Sequence, residues 1–152
     1  MIVKLKVWIV SINNTPKKHM QNNKKILVVE DDRAINELIS YNLVKSGFKV
    51  TSVYDGIDAK ETLRSERFEI VVLDIMLPGS NGFDICKDIR NAPESFNTYV
   101  IVVSAKVGAQ DKLYAHILGA DCYITKPFGI SAFVEIVKEI NSFKDKEYTV
   151  KS

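Results

Sequence analysis

Four polar groups, each standing where a hydrophobic run stops, carry the chemistry open to this sequence. Glu30-Asp31-Asp32 follows Ile26-Leu27-Val28-Val29, and Asp74 follows Ile70-Val71-Val72-Leu73. Ser104 follows Val100-Ile101-Val102-Val103, and Lys126-Pro127 follows Asp121-Cys122-Tyr123-Ile124-Thr125. Carboxylates at Glu30, Asp31 and Asp74 offer hard oxygen ligands to Mg²⁺ while leaving positions for water and phosphate oxygens. Grouping them costs like-charge repulsion, which a bound cation relieves. A carboxylate is also a nucleophile able to take up a phosphoryl group. Lys126 and the Ser104 hydroxyl suit the charge on such a group in transit. Asp74, alone at the end of the central run, is the best nucleophile candidate. Taken singly, Asp31 or Asp32 reads as a helix cap, Ser104 as a turn hydroxyl and Lys126 as a solvated lysine. Their joint placement at four run ends favours a site.

The elements that must position these groups alternate regularly. Apolar runs of this length between helical stretches read as buried parallel strands. Strands are expected at 26–30, about 49–54, up to Asp74, 99–103 and 121–125. After the first strand, Ile35, Leu38, Ile39 and Leu43 recur at helical spacing and Gly47 is placed to end the helix. Asp55 caps a second helix that runs to about Glu66 and buries Ala59 and Leu63. Pro78-Gly79 and Asn81-Gly82 mark a loop before a helix at 83–91. A less clearly apolar helix covers 109–118. The last helix buries Phe133, Ile136, Val137 and Ile140, with Gly129 or Ser131 near its start. The pattern predicts an α/β fold, a doubly wound (βα)₅ three-layer sandwich with parallel strand order 2-1-3-4-5, two helices on one face and three on the other. In such sheets the carboxyl ends of the strands share one crevice, where ligands bind.

At 152 residues the chain suits one domain with a single core. The first 25 residues hold six lysines and no acid, leaving the remainder with 15 basic against 19 acidic residues. The net charge of +2 is therefore no sign of nucleic-acid binding. Val3, Leu5, Val7 and Ile9 alternate at the strand period, so residues 2–12 are read as an extra strand ahead of a polar connector. Residues 1–23 are assigned to an N-terminal extension, 24–143 to the main domain and 144–152 to a tail or the start of a linker. Cys86 and Cys122 show no metal-ligand spacing and read as unpaired thiols in a reducing compartment. Lys4 and Lys6 break the short apolar start, which argues against a membrane span, and the want of a small-residue cleavage signal after it argues for the cytoplasm. His19 and His116 lie away from the expected crevice and read as surface or packing residues.

The strings Ile26 to Asp32, Asp74-Ile75-Met76-Leu77-Pro78-Gly79, Ser104-Ala105, Gly119-Ala120-Asp121 and Tyr123 to Phe128 together resemble the CheY-like receiver domain of two-component response regulators. Within that family the chain looks closest to receivers of the winged-helix, OmpR/PhoB-type subgroup. The resemblance implies that Glu30 and Asp31 are the acidic metal-binding pair and Asp74 the phosphoacceptor, with the Met76 backbone carbonyl completing a Mg²⁺ site. It implies that Lys126 and Ser104 contact the phosphoryl group, that Ser104 and Tyr123 act as the switch pair, and that Lys126–Pro127 is cis. A sensor histidine kinase or phosphotransfer protein would supply the phosphoryl group. Receivers of this subgroup dimerise through the face of the fourth helix, fifth strand and fifth helix. Lys112, Asp121 and Lys138 keep charges there, but Cys122, Ala132 and Ile136 replace expected ones and point to a more apolar contact. Nucleic-acid binding by this chain alone and membrane attachment are not expected. An aspartate-based phosphatase would need a second acid where Met76 stands, and a flavin carrier would need a Ser/Thr/Gly-rich loop where Glu30-Asp31-Asp32 stands. A degenerate receiver serving only as an interaction module is the alternative.

Overall fold

The computed structural model describes residues 23–150, with side chains described as far as Lys144. The extra strand read at 2–12 lies outside the described residues. Five strands, β1 (Lys25–Val29), β2 (Lys49–Val53), β3 (Ile70–Asp74), β4 (Tyr99–Ser104) and β5 (Cys122–Thr125), alternate with helices. The helices are α1 (Arg33–Lys45), α2 (Gly56–Ser65), α3 (Gly82–Asn91), α4 (Ala109–Ile117) and α5 (Ile130–Val150). These five strands form one sheet with all pairings parallel, in the order β2-β1-β3-β4-β5, as the alternation predicts. The chain divides after Pro127 into two compact units, the first holding the sheet and α1–α4.

Strand period and helical period meet in one core. Leu27, Val29, Val71, Leu73, Val100 and Val102 point to one side of the sheet, where Ala59 of α2, Ile85 and Ile89 of α3 and Ala115 of α4 close over them. The alternate residues Ile26, Val28, Ile70, Val72, Ile101 and Val103 are also buried, as are Ile39 and Leu43 of α1, the helix that packs on β1 and β2. Burial on both faces explains why β1, β3 and β4 read as continuous apolar runs.

Local chemistry sets the helix starts. Asp32 accepts from the Ile35 N–H at 3.1 Å to cap α1, and Asp55 accepts from the Asp58 N–H at 2.8 Å to cap α2. Asn81 does the same for α3 through Phe83 N. No side chain caps α4, whose one buried residue is Ala115, which accounts for its weak signature in the sequence. The loop after β3 contains a two-stranded antiparallel ribbon, Met76–Leu77 with Ser80–Asn81, which turn chemistry alone did not reveal. Gly79 turns it at φ +71°. Gly82 lets α3 begin against the backbone of the β3 end: a Cβ there would stand 2.7 Å from Asp74 O.

Two expectations of burial need correction: Leu63 of α2 and Ile136 of α5 are only partly buried, whereas Ala59, Phe133, Val137 and Ile140 are buried. On α1, Leu38 shares the helical spacing of its apolar neighbours but is 48% exposed, and Asn36, a polar residue, is fully buried. Described by itself, α5 is one helix to Val150, so the segment 144–152 begins as helix.

Candidate functional site

Four of the predicted site residues stand at the carboxyl ends of strands. Glu30 follows β1, Asp74 ends β3, Ser104 ends β4 and Lys126 follows β5. The chain brings them together. Lys126 Nζ lies 2.6 Å from Glu30 Oε2 and 3.0 Å from Asp74 Oδ2. Ligand-type oxygens of Glu30, Asp31 and Asp74 lie within 4.8 Å of one another. The Lys126–Pro127 bond is cis, as the resemblance implied.

Backbone donors fix the carboxylates. Met76 N donates to Asp74 Oδ1 at 2.9 Å, while Asp74 Oδ2 faces the lysine, so both oxygens are oriented. Asp32 N donates to Glu30 Oε1 at 3.1 Å. Glu30 and Asp74 are buried, and Asp31 is exposed at the mouth. Burial pushes the Glu30 carboxyl above its ordinary value against the opposing pull of Lys126, and Asp74 adds to the rise. Lys126 is less deeply buried. Desolvation pulls it down, but the hydrogen bonds and charges of Glu30 and Asp74 outweigh that and hold it above its ordinary value.

Ser104 is fully buried, and its Oγ accepts from Lys106 N at 3.2 Å. Tyr123 is also buried, with its hydroxyl donating to Lys106 O at 2.9 Å. One residue, Lys106, thus touches both members of the expected switch pair through its backbone. Its side chain lines an open groove of about 540 Å³ beside the acids, with Asp31, Met76, Pro78, Asn81 and Phe83. Sequence reasoning gave Lys106 no role, because its contacts are made by backbone atoms.

The donor set suits a hard divalent cation: three carboxylates on two adjacent strand ends, one of them exposed. The lysine between Glu30 and Asp74 offsets part of their repulsion.

Cys122, expected on an outer face, is buried at the start of β5, so it cannot serve as an exposed apolar contact. Burial pushes its thiol up to about 11 and that of Cys86 up to about 12. Both cysteines are free, as expected. Asp121 likewise is no loose surface charge, since Arg90 and the Val100 N–H hold its carboxylate. His116 is exposed on α4, and His19 lies outside the described residues. Among the described residues no helix is long and apolar enough to cross a membrane.

This arrangement has close counterparts. The family model for the response regulator receiver domain matches residues 26–138. A Francisella response regulator receiver domain is 30% identical, with 80% of this chain and 99% of that one covered at a TM-score of 0.74. DrrB, a Thermotoga maritima OmpR/PhoB homologue, is 33% identical over 80% of this chain and 54% of its own, with a TM-score of 0.73. A CheY-like receiver protein from Methanospirillum hungatei is 25% identical over 83% and 99%, with a TM-score of 0.77. The chain belongs to the response regulator receiver domain family. Its fold and acidic cluster are those of a CheY-like signalling receiver, which takes a phosphoryl group onto itself and does not turn over a separate substrate.

Proposed function

We propose that Asp74 is the phosphoacceptor of a signalling switch fed by a phosphohistidine on a sensor histidine kinase or phosphotransfer protein. The observation that carries this reading is the double fixation of Asp74, with Met76 N on one carboxylate oxygen and Lys126 on the other, beside Glu30 and Asp31. In the transfer, an Asp74 oxygen forms a bond to phosphorus while the phosphorus–nitrogen bond to the donor imidazole breaks and the imidazole nitrogen keeps that electron pair. Glu30, Asp31, Asp74 and the Met76 carbonyl would hold Mg²⁺. When bound, the ion supplies positive charge to the phosphoryl oxygens. Lys126 is placed to move its ion pair from the carboxylates to the transferred group, and the Ser104 hydroxyl to donate to it.

The switch follows from the same geometry. A phosphoryl group on Asp74 draws Ser104 inward and favours the buried position of Tyr123, with its hydroxyl on Lys106 O. The surface that reads out this shift includes α4, where Leu113, Tyr114 and Ile117 are exposed. We read it as the partner or homodimer face, made of apolar contacts supplied by α4 in place of the buried Cys122. Self-association on phosphorylation should then resist salt, and sedimentation at low and high salt measures it. The 33% identity with the OmpR/PhoB homologue DrrB supports the winged-helix subgroup reading. Residues 24–143 are taken as the receiver, around the matched 26–138, with 1–23 as an extension and 144–152 as a tail or linker. The buried reduced thiols suit a cytoplasmic location.

The test is incubation with a small phosphodonor. A Mg²⁺-dependent mass increase of one phosphoryl group is expected in wild type and none in Asp74→Asn. Incorporation that survives the substitution would move the nucleophile, and no incorporation in wild type would favour the degenerate interaction module.

A further inference from the structure

Asn36 and Ser104 are the polar side chains with no exposed surface among the described residues, and only Ser104 has a place in the reading above. Asn36 lies in the first turns of α1, directly behind the acidic pair. Its Nδ2 donates both hydrogens, one to Glu30 O at 3.0 Å and one to Val53 O at 3.0 Å. Those carbonyls stand where β1 and β2 run out. Val53 O also receives Glu30 N at 3.2 Å.

The amide orientation is set from behind. Asn36 Oδ1 accepts from Ser40 Oγ at 3.1 Å, which commits the Ser40 hydroxyl hydrogen. In the 2.7 Å contact between Ser40 Oγ and Ser52 Oγ, Ser52 must therefore be the donor. The chain of donors runs one way, from β2 through α1 to the Glu30 carbonyl. A flipped amide would set Oδ1 against two carbonyl oxygens.

We infer that Asn36 is a positioning residue for the acidic site. It fixes the peptide on which β1 gives way to the loop, and so the direction in which the Glu30 and Asp31 carboxylates leave the sheet toward Asp74. The inference rests on the proposed metal site. A purely structural Asn36 would contribute to stability alone, and its loss would leave site geometry intact in the folded molecules.

The experiment compares Asn36→Leu, which keeps similar volume, with Leu43→Ala, a core variant further along the same buried face of α1. Mg²⁺ titration followed by amide NMR shifts should show about tenfold weaker binding in Asn36→Leu, the loss typical when a group behind a metal ligand is removed. Leu43→Ala should lose thermal stability with the wild-type Mg²⁺ affinity. In the metal-free proteins, amide exchange at residues 31–33 should quicken in Asn36→Leu more than in Leu43→Ala. Ser52→Ala removes only the last donor of the chain, and should weaken Mg²⁺ binding by a smaller factor while folding normally. Equal Mg²⁺ affinity and equal exchange in Asn36→Leu and Leu43→Ala would overturn the positioning role. A wild type that takes up no Mg²⁺ would overturn the metal-site reading instead, and the exchange comparison would still decide for or against Asn36.

Discussion

At the amino ends of β4 and β5, Arg90 reaches out of the last turn of α3 and donates to Gly119 O at 2.9 Å, Phe96 O at 2.9 Å and Thr98 O at 2.6 Å. Its remaining terminal nitrogen meets Asp121 Oδ2, which also accepts from Val100 N. At the carboxyl ends of the same sheet, Lys126 meets Glu30 and Asp74. Both ends set a cation beside carboxylate oxygens, but the bonding differs in kind. The guanidinium is a rigid fork whose donors are taken up mostly by backbone carbonyls, and those cannot leave. The ammonium is a point charge facing carboxylates that are also ligands for an ion and a nucleophile for phosphorus. One end is built to stay closed and the other to exchange its partners.

The largest expected separation is on chemistry. Lys126→Ala should cut the rate of phosphorylation by a small-molecule donor about 100-fold, the loss usual when a donor to developing charge is removed. Arg90→Ala should leave that rate unchanged in folded protein, because Arg90 contacts none of the site residues. Initial rates at saturating Mg²⁺ measure both. A similar slowing in the two variants would erase the distinction between the ends.

Stability should separate them the other way. Arg90→Ala leaves Asp121 and three carbonyls without their donor, a loss of about 3 kcal/mol in urea unfolding. Lys126→Ala leaves Glu30 and Asp74 facing each other without a cation, but Mg²⁺ can take its place. At one Mg²⁺ concentration, 100 times the wild-type dissociation constant, wild type gains about 2.7 kcal/mol. Lys126→Ala, whose Glu30 and Asp74 have no competing cation, should bind the ion more tightly and gain more, which narrows its gap to wild type. Arg90→Ala should gain the same increment as wild type, with its gap unchanged.

How much of this was legible in the sequence follows the same division. Glu30, Asp74, Ser104 and Lys126 were found because each breaks an apolar run, and a charged residue at the end of a buried strand has few structural reasons to be there. Asn36 was hidden by periodicity. Leu38 satisfies the helical spacing as well as Asn36 does, and only the carbonyls of Glu30 and Val53 at the ends of β1 and β2, which accept from the Asn36 side chain, make the amide the better buried group. Arg90 carries no signal in the sequence, since three of its acceptors are backbone atoms that every residue carries. Cys122 was placed outside by resemblance, yet the inward turn of the first β5 residue is a matter of strand phase, which shifts with one residue of register.

The remaining prediction sharpens the comparison through pH. Cys86 is pushed up to about 12, by burial first and with Arg90 opposing and Asp121 reinforcing; Cys122 is pushed up to about 11, by burial and then Asp121. Both shifts centre on the end that Arg90 closes. The unfolded chain releases these protons near 9.0, while the folded protein keeps them, so their contribution is complete below pH 9.0 and declines as pH climbs toward the folded values. Each thiol removes about 1.4 kcal/mol per pH unit once the unfolded form is ionised. From pH 8 to pH 10 the pair should together remove about 2–3 kcal/mol, read by urea unfolding in reductant. Lys126 enters only at higher pH, because its own value is raised above 10.5. The decline should therefore persist in Lys126→Ala and flatten in Cys86→Ala/Cys122→Ala. A slope that vanished with the lysine would place the alkaline weakness at the exchangeable end, and the closed end would lose its claim to it.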